Sequence, residues 1–291
     1  MKPAPAIKRG WLRALIYIFL FLITLVIFEI IAMSVLSAIS DKTMFEVISN
    51  IRDNIHLLVL VQTIVLTGVT ALTFAFRKYF DARTIITLGF SSYRRNKDLV
   101  LGLALGLIVI GSGFLILLLS GNLVIISISP DFAYLGWSII LCLIISWVEE
   151  LSFRGYILNN LIDSFHPFTG LLISSFLFAV FHLLNPGMGM IPFVNLFLAG
   201  ILLGIVFIYT KTIWYALALH FSWNFFQGPV FGFPVSGIEM DGFLQQQPKG
   251  YEIITGGNFG FEGSILSSLL IILCIFALNY LYTKITSARS A

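Results

Sequence analysis

The hydrophobic positions of the chain fall in long runs spread over most of its length rather than in a single segment. At about 1.5 Å per residue, eight of these runs approach the length needed to cross roughly 30 Å of hydrocarbon as helices. They lie at about 14–36, 56–76, 99–119, 134–162, 168–184, 191–209, 212–226 and 264–282. The pattern predicts an all-α fold: a polytopic membrane helix bundle of about eight transmembrane helices, a single integral membrane domain over residues 1–291 with both termini on one side. The first run follows Lys2, Lys8, Arg9 and Arg13, as the core of a signal peptide would, but it is long for a cleaved segment and is interrupted only by Glu29. It is therefore expected to be retained. The one long polar interval, 227–263, is rich in glycine and contains Pro229, Pro234 and Pro248. It predicts an irregular extracytoplasmic flap, either a cover or an inert connector.

Composition sharpens this picture by exclusion. Hydrophobic residues make up 58% and charged residues 11% of the chain, against roughly 25% charged in soluble domains, which excludes a water-soluble globular protein. The mean hydropathy is +0.99. A net charge of +3 is too small to argue for nucleic acid, so the expected surroundings are the lipid bilayer. Cys142 and Cys274 both lie in apolar runs, which argues against a disulfide framework and a cysteine metal site. The placement of the basic residues says more than their sum. With a cytoplasmic N-terminus, that side receives Lys2, Lys8, Arg9, Arg13, Arg77, Lys78, Arg83, Arg94, Arg95, Lys97, Lys211, Lys284 and Arg289. Only Lys42, Arg52 and Lys249 fall outside, and Arg154 lies within a span. Positive residues in short loops stay on the cytoplasmic side, so both termini are expected in the cytoplasm, at the plasma membrane if the source is prokaryotic. The basic stretch 77–97 reads as a topology signal that also attracts anionic lipid. No internal repeat is visible, which argues weakly against a transporter built from duplicated halves.

Ionisable groups at membrane depth cost at least about 2.5 to 3.5 kcal/mol each, so each demands a partner or a function. The fourth run holds Glu149, Glu150 and Arg154. Glu150 and Arg154 are four apart on one helical face and can form an ion pair. Glu149 is turned about 100° away and needs another partner. The fifth run carries Phe178 and His182 and then stops at Asn185-Pro186-Gly187. If the chain reverses near Phe165 and His166, Glu149 and His182 lie at nearly equal distances from the turn, so an antiparallel hairpin brings them face to face. A carboxylate hydrogen-bonded to an imidazole at low dielectric is a proton acceptor. The seventh run presents His220 and Asn224 on one face. Singly, each polar residue reads as helix-helix glue; gathered on three helices, they point to chemistry. Glu29 has no partner that the sequence names. Gly102 with Gly106 and Gly200 with Gly204 read as close-packing pairs, and His56 and His166 as interfacial. Ser146 and Ser222 read as back-bonded hydroxyls rather than nucleophiles.

Glu149-Glu150-xxx-Arg154, Phe178-xxx-His182 and His220-xxx-Asn224, in this order and on separate helices, resemble the CPBP intramembrane proteases, which include the type II CAAX prenyl endopeptidases and bacteriocin-immunity-like (Abi domain) proteins. The resemblance covers 137–228, the expected protease core. It implies an endopeptidase acting on membrane-associated protein or peptide substrates, CAAX-type prenylated proteins among them. It also implies that Glu149 activates water with help from His182, that His220 and Asn224 bind the oxyanion, and that Glu150 and Arg154 are structural support. Peptide hydrolysis needs such a base and such donors. Two histidines and a glutamate are equally a zinc ligand set of metalloprotease type, in which Glu149, His182 and His220 would hold the ion. The His-Glu-xx-His helix signature is absent, and the metal-free mechanism is favoured. A proton-coupled transporter and a non-catalytic immunity or scaffold protein are the competing readings, since Glu and His also relay protons in membranes.

Overall fold

The computed structural model describes residues 4–51 and 54–290. Lys2 and Arg52, both counted in the charge tally, lie outside the described residues, as does the side chain of Arg289. The chain builds α1 (Gly10–Ser40), a short α2 (Met44–Ile51), α3 (Ile55–Ala75) and α4 (Arg95–Leu119). A strand β1 (Leu123–Ile128) leads into α5 (Phe132–Glu150), which runs through a π-helical stretch Leu151–Leu158 into α6 (Asn159–Ile162). Then follow α7 (Pro167–Phe181), α8 (Met190–Thr210), α9 (Trp214–Phe225), β2 (Leu244–Pro248), the single turn α10 (Glu252–Thr255) and α11 (Ile265–Ser290).

Six of these helical stretches are long and apolar enough to cross a membrane: α1, α3 extended to Phe80, α4, α5 through Ile162, α8 and α11. The protein is an integral, multi-pass membrane protein. The expected count of eight needs qualification. The runs at 168–184 and 212–226 form α7 and α9, of only 15 and 12 residues, or about 22 and 18 Å, less than a hydrocarbon thickness. These are the two helices that carry His182 and the His220–Asn224 pair.

The all-α expectation holds for the bundle, with one addition. β1 pairs antiparallel with β2, Leu123 opposite Pro248 and Ile128 opposite Leu244, with a bulge between Ile125 and Ser127. The sheet joins the α4–α5 connection to the interval 227–263, which is thus partly regular rather than a plain coil.

The glycine pairs act as expected. A side chain at Gly102 would meet the backbone of Tyr215 and Leu219, and one at Gly106 would meet Ser222, so α4 and α9 touch along their backbones. Gly200 and Gly204 do the same for α8 against Ser175 and Leu171 of α7. Such close approach is the usual basis of helix association in lipid. In α8, 61% of the apolar window is buried, against 17 to 33% in the other five long helices, which makes α8 the central element.

At the end of the bundle where α1 begins, Asp81 gathers a buried polar knot. Its Oδ2 accepts from Arg77 Nη1 at 2.8 Å and Asn160 Nδ2 at 3.2 Å. Its Oδ1 accepts from Tyr156 Oη at 2.9 Å and faces Arg13 Nη1 at 3.5 Å. Arg13 reaches on to Asp163 at 2.6 Å, where Arg83 also pairs. Two residues read only as topology charges, Arg13 and Arg77, are therefore buried in ion pairs, and Arg77 is not a lipid-facing cation.

Candidate active site

The site rests on the stem formed by α5 and its π-helical continuation, with α7 and α9 supplying the histidines. The Glu149-Glu150 pair ends the regular part of α5, and the wider π turns begin at Leu151. Single π bulges recur at functional positions because they re-aim side chains within a helix. A second π-helical stretch, Phe226–Val230, follows Asn224 directly.

Glu150 is fully buried, and its Oε1 accepts from Arg154 Nη1 at 2.6 Å, the expected ion pair. The same oxygen lies 2.7 Å from His220 Nδ1, which the sequence reading did not foresee. Arg154 is anchored further by the Gly200 carbonyl at 3.1 Å and by the Phe178 ring, 4.6 Å from the guanidinium carbon. Glu150 and Arg154 thus hold α5, α8 and α9 together and also orient His220.

His182 caps α7 rather than lying inside it, because the helix ends at Phe181. Its Nδ1 contacts the Phe178 carbonyl at 2.7 Å. A carbonyl only accepts, so Nδ1 carries the hydrogen and the neutral ring presents a lone pair at Nε2. His220 likewise donates from Nδ1, to Glu150 Oε1 at 2.7 Å, whether or not Nε2 also carries a hydrogen.

Both free nitrogens face one atom. Glu149 Oε2 lies 3.9 Å from His182 Nε2 and 3.9 Å from His220 Nε2. The expected Glu149–His182 pairing is present, and His220 joins it. Oε2 is itself buried with no hydrogen-bond partner among the described residues, while the Glu149 side chain as a whole is 25% exposed, unlike its fully buried neighbour Glu150. A separation of 3.9 Å is too long for a direct hydrogen bond and suits one water shared between the two groups. Asn224 is buried one turn beyond His220, with no hydrogen bond among the described residues.

Zinc ligands bonded at about 2.0 to 2.2 Å stand roughly 3.4 Å from one another in a tetrahedron. The 3.9 Å spacings of Glu149, His182 and His220 are wider, and among the described residues no group of three or more His, Cys, Asp or Glu side chains is arranged to hold a metal ion.

The residues set aside fall in varied places. Glu29 is exposed on α1. His56 is exposed against Trp137, and His166 is exposed against Phe168. Ser222 does not bond back along its own helix but donates to Leu103 O of α4 at 2.7 Å. The buried Ser146 hydroxyl has no hydrogen-bond partner among the described residues. Cys142 and Cys274 are free thiols.

Residues 131–226 match the family model for Type II CAAX prenyl endopeptidase Rce1-like proteins. The matched region contains Glu149, Glu150, Arg154, His182, His220 and Asn224. The family is one of membrane-embedded peptidases. No curated protein and no solved structure matches the chain.

Proposed function

We propose that this protein is an intramembrane endopeptidase that hydrolyses peptide bonds of membrane-associated proteins, CAAX-type prenylated proteins among them, by a metal-free glutamate mechanism. The observation that carries the reading is the Glu149 carboxylate, unpaired at Oε2 among the described residues and set 3.9 Å from both His182 Nε2, which its tautomer leaves as an acceptor, and His220 Nε2.

A water in that gap donates one hydrogen to Glu149 Oε2 and the other to His182 Nε2, leaving an oxygen lone pair directed at a substrate carbonyl. Glu149 takes the proton as the oxygen–carbon bond forms. The tetrahedral oxyanion is met by the Asn224 amide and by His220. For this the His220 ring holds both protons before the water attacks, the second taken up from solvent, and donates from Nε2 throughout, with the carboxylate of Glu150 at 2.7 Å supplying the balancing charge. Collapse of the intermediate breaks the carbon–nitrogen bond, and the protonated Glu149 returns its proton to the leaving amine. Fixed donors in a site poor in water work without reorganising solvent.

The charge segregation supports cytoplasmic N- and C-termini, and residues 1–291 are proposed to act as one membrane domain.

The test is substrate capture and turnover. Purified Glu149→Gln should fold and insert, lose cleavage of prenylated and unprenylated membrane peptides, and retain bound substrate for identification. Full proteolysis by this variant would overturn the assignment, and so would proton or solute flux in proteoliposomes without any hydrolysis. Activity should persist in chelator; one zinc per chain, with loss of activity on its removal, would replace the metal-free mechanism.

A further inference from the structure

The long interval after α9 contains a buried carboxylate that the mechanism does not use. Glu262 is 6% exposed and makes no ion pair among the described residues; four neutral donors surround it. Its Oε1 accepts from Trp223 Nε1 at 3.0 Å. Its Oε2 accepts from Gln227 Nε2 at 3.2 Å, Ser236 N at 2.6 Å and Ser236 Oγ at 3.0 Å. A carboxylate desolvated this far is costly unless each oxygen is well supplied with donors, as both are here.

The donors come from two places that matter. Trp223 and Gln227 belong to α9 and its continuation; Trp223 precedes Asn224 and lies three residues from His220. Ser236 sits at the tip of a tight turn closed by the Val235–Ile238 bridge. The tip also holds the far side of the site, because Asn185 Nδ2, three residues beyond His182, donates to Ser236 O at 2.9 Å. The turn is built for contact rather than for comfort. Ser236 adopts a φ of 48° and Gly237 one of 82°, a left-handed conformation disfavoured for serine. Any side chain at Gly237 would collide with the Pro186 carbonyl. Asn185, Ser236, Glu262 and Trp223 therefore form a continuous chain of hydrogen bonds from the end of α7 to α9. It bridges the two short helices that carry His182 and His220–Asn224.

We infer that Glu262 is a positioning residue. Its carboxylate closes a clasp with Ser236 and Trp223 that fixes the spacing between the His182 end of α7 and the His220–Asn224 face of α9, and so sets the geometry of hydrolysis. The inference rests on the protease reading for its catalytic consequence, but the clasp has a structural readout of its own. A displacement of about 1 Å in reacting groups lowers turnover by as much as a hundredfold.

Glu262→Gln keeps the shape of the side chain but puts an NH2 group against either the indole N–H or the Ser236 donors, so one end of the clasp must open. Spin labels at Leu184→Cys and Phe225→Cys, in a Cys142→Ala/Cys274→Ala background, report the α7–α9 distance by pulsed electron resonance. With Glu262→Gln that distribution should widen or shift, and kcat on a cleaved membrane peptide should fall between about ten- and a hundredfold with KM within about twofold. Glu252→Gln, on the exposed part of the same interval, should leave both readouts at wild-type values. An unchanged distance distribution with Glu262→Gln, or an unchanged kcat in a chain that turns over, overturns the proposal. If Glu262→Gln fails to insert, Trp223→Phe removes one donor and carries the same two measurements. Absence of turnover in the unmutated chain, with the distance still responding, would refute the protease reading and leave the clasp standing.

Discussion

Two polar networks hang on the same helical stem and differ in what they leave unsatisfied. In the knot around Asp81, both carboxylate oxygens are engaged, by Arg77 and Asn160 on one and by Tyr156 and Arg13 on the other. Its unpaired atoms are chiefly donors, the buried Arg13 Nε among them. In the site around Glu149, carboxylate oxygens are left unpaired: Oε2 of Glu149 and Oε2 of Glu150. A network with its carboxylate oxygens saturated is a fastening. One with spare carboxylate oxygens beside an imidazole lone pair can accept a proton, and leaving such groups short is tolerable in a membrane only where function requires it.

The largest expected effect separates the networks outright. Glu149→Gln should lower cleavage by about a hundred- to ten-thousandfold, the range for loss of a general base, with no change in the denaturation midpoint in detergent. A matching loss of stability would mean that Glu149 is a fastening like Asp81. Next, Arg154→Met removes the guanidinium of the buried Glu150 pair and should destabilise the fold by about 3 to 5 kcal/mol, read as a lower denaturation midpoint. The activity that remains should fall as well, because Glu150 also orients His220. Asp81→Asn leaves the buried Arg77 without its carboxylate and should also cost about 3 to 5 kcal/mol of stability, but it should leave turnover per folded molecule unchanged. Lost turnover in the folded Asp81→Asn fraction would erase the distinction between knot and site.

How much of this could be read from the chain depends on sequence distance. The spans of α1, α3, α4, α5 and α11 follow from run length alone, and Glu150–Arg154 from helical spacing. The meeting of Glu149 with His182 follows from counting residues to the turn at Pro167, since an antiparallel hairpin admits few registers. The bond from His220 to Glu150 joins residues seventy positions apart, and no local period encodes the rotation of α9 that makes it. Glu262 is a lone acid in a glycine-rich interval, and its donors become neighbours only once that interval folds back over α9. Arg13 and Arg77 were legible as cytoplasmic charges but not as partners of Asp81. The brevity of α7 and α9 shows in their runs, 168–184 and 212–226, the two shortest of the eight; the helix ends at Phe181 and Phe225 do not show, because apolar residues follow each.

Tyr17 tests whether the two networks are separate, since it lies between them. Its ring stacks on Tyr156 of the knot at 4.2 Å, while its hydroxyl donates to Ser152 Oγ at 3.0 Å and shares a hydrogen with Thr73 Oγ1 at 2.7 Å. Ser152 in turn donates to Val148 O, next to Glu149, and Thr73 to Val69 O. Tyr17→Phe keeps the ring and removes only the hydroxyl, and both partner hydroxyls retain their bonds along their own helices. An interhelical hydrogen bond in lipid averages about 0.6 kcal/mol, so the denaturation midpoint should drop only slightly and turnover should stay within about twofold of wild type. A larger fall in turnover at unchanged stability would show that strain in the knot reaches Glu149 through Ser152. Fastening and reagent would then be two ends of one network rather than two devices on one stem.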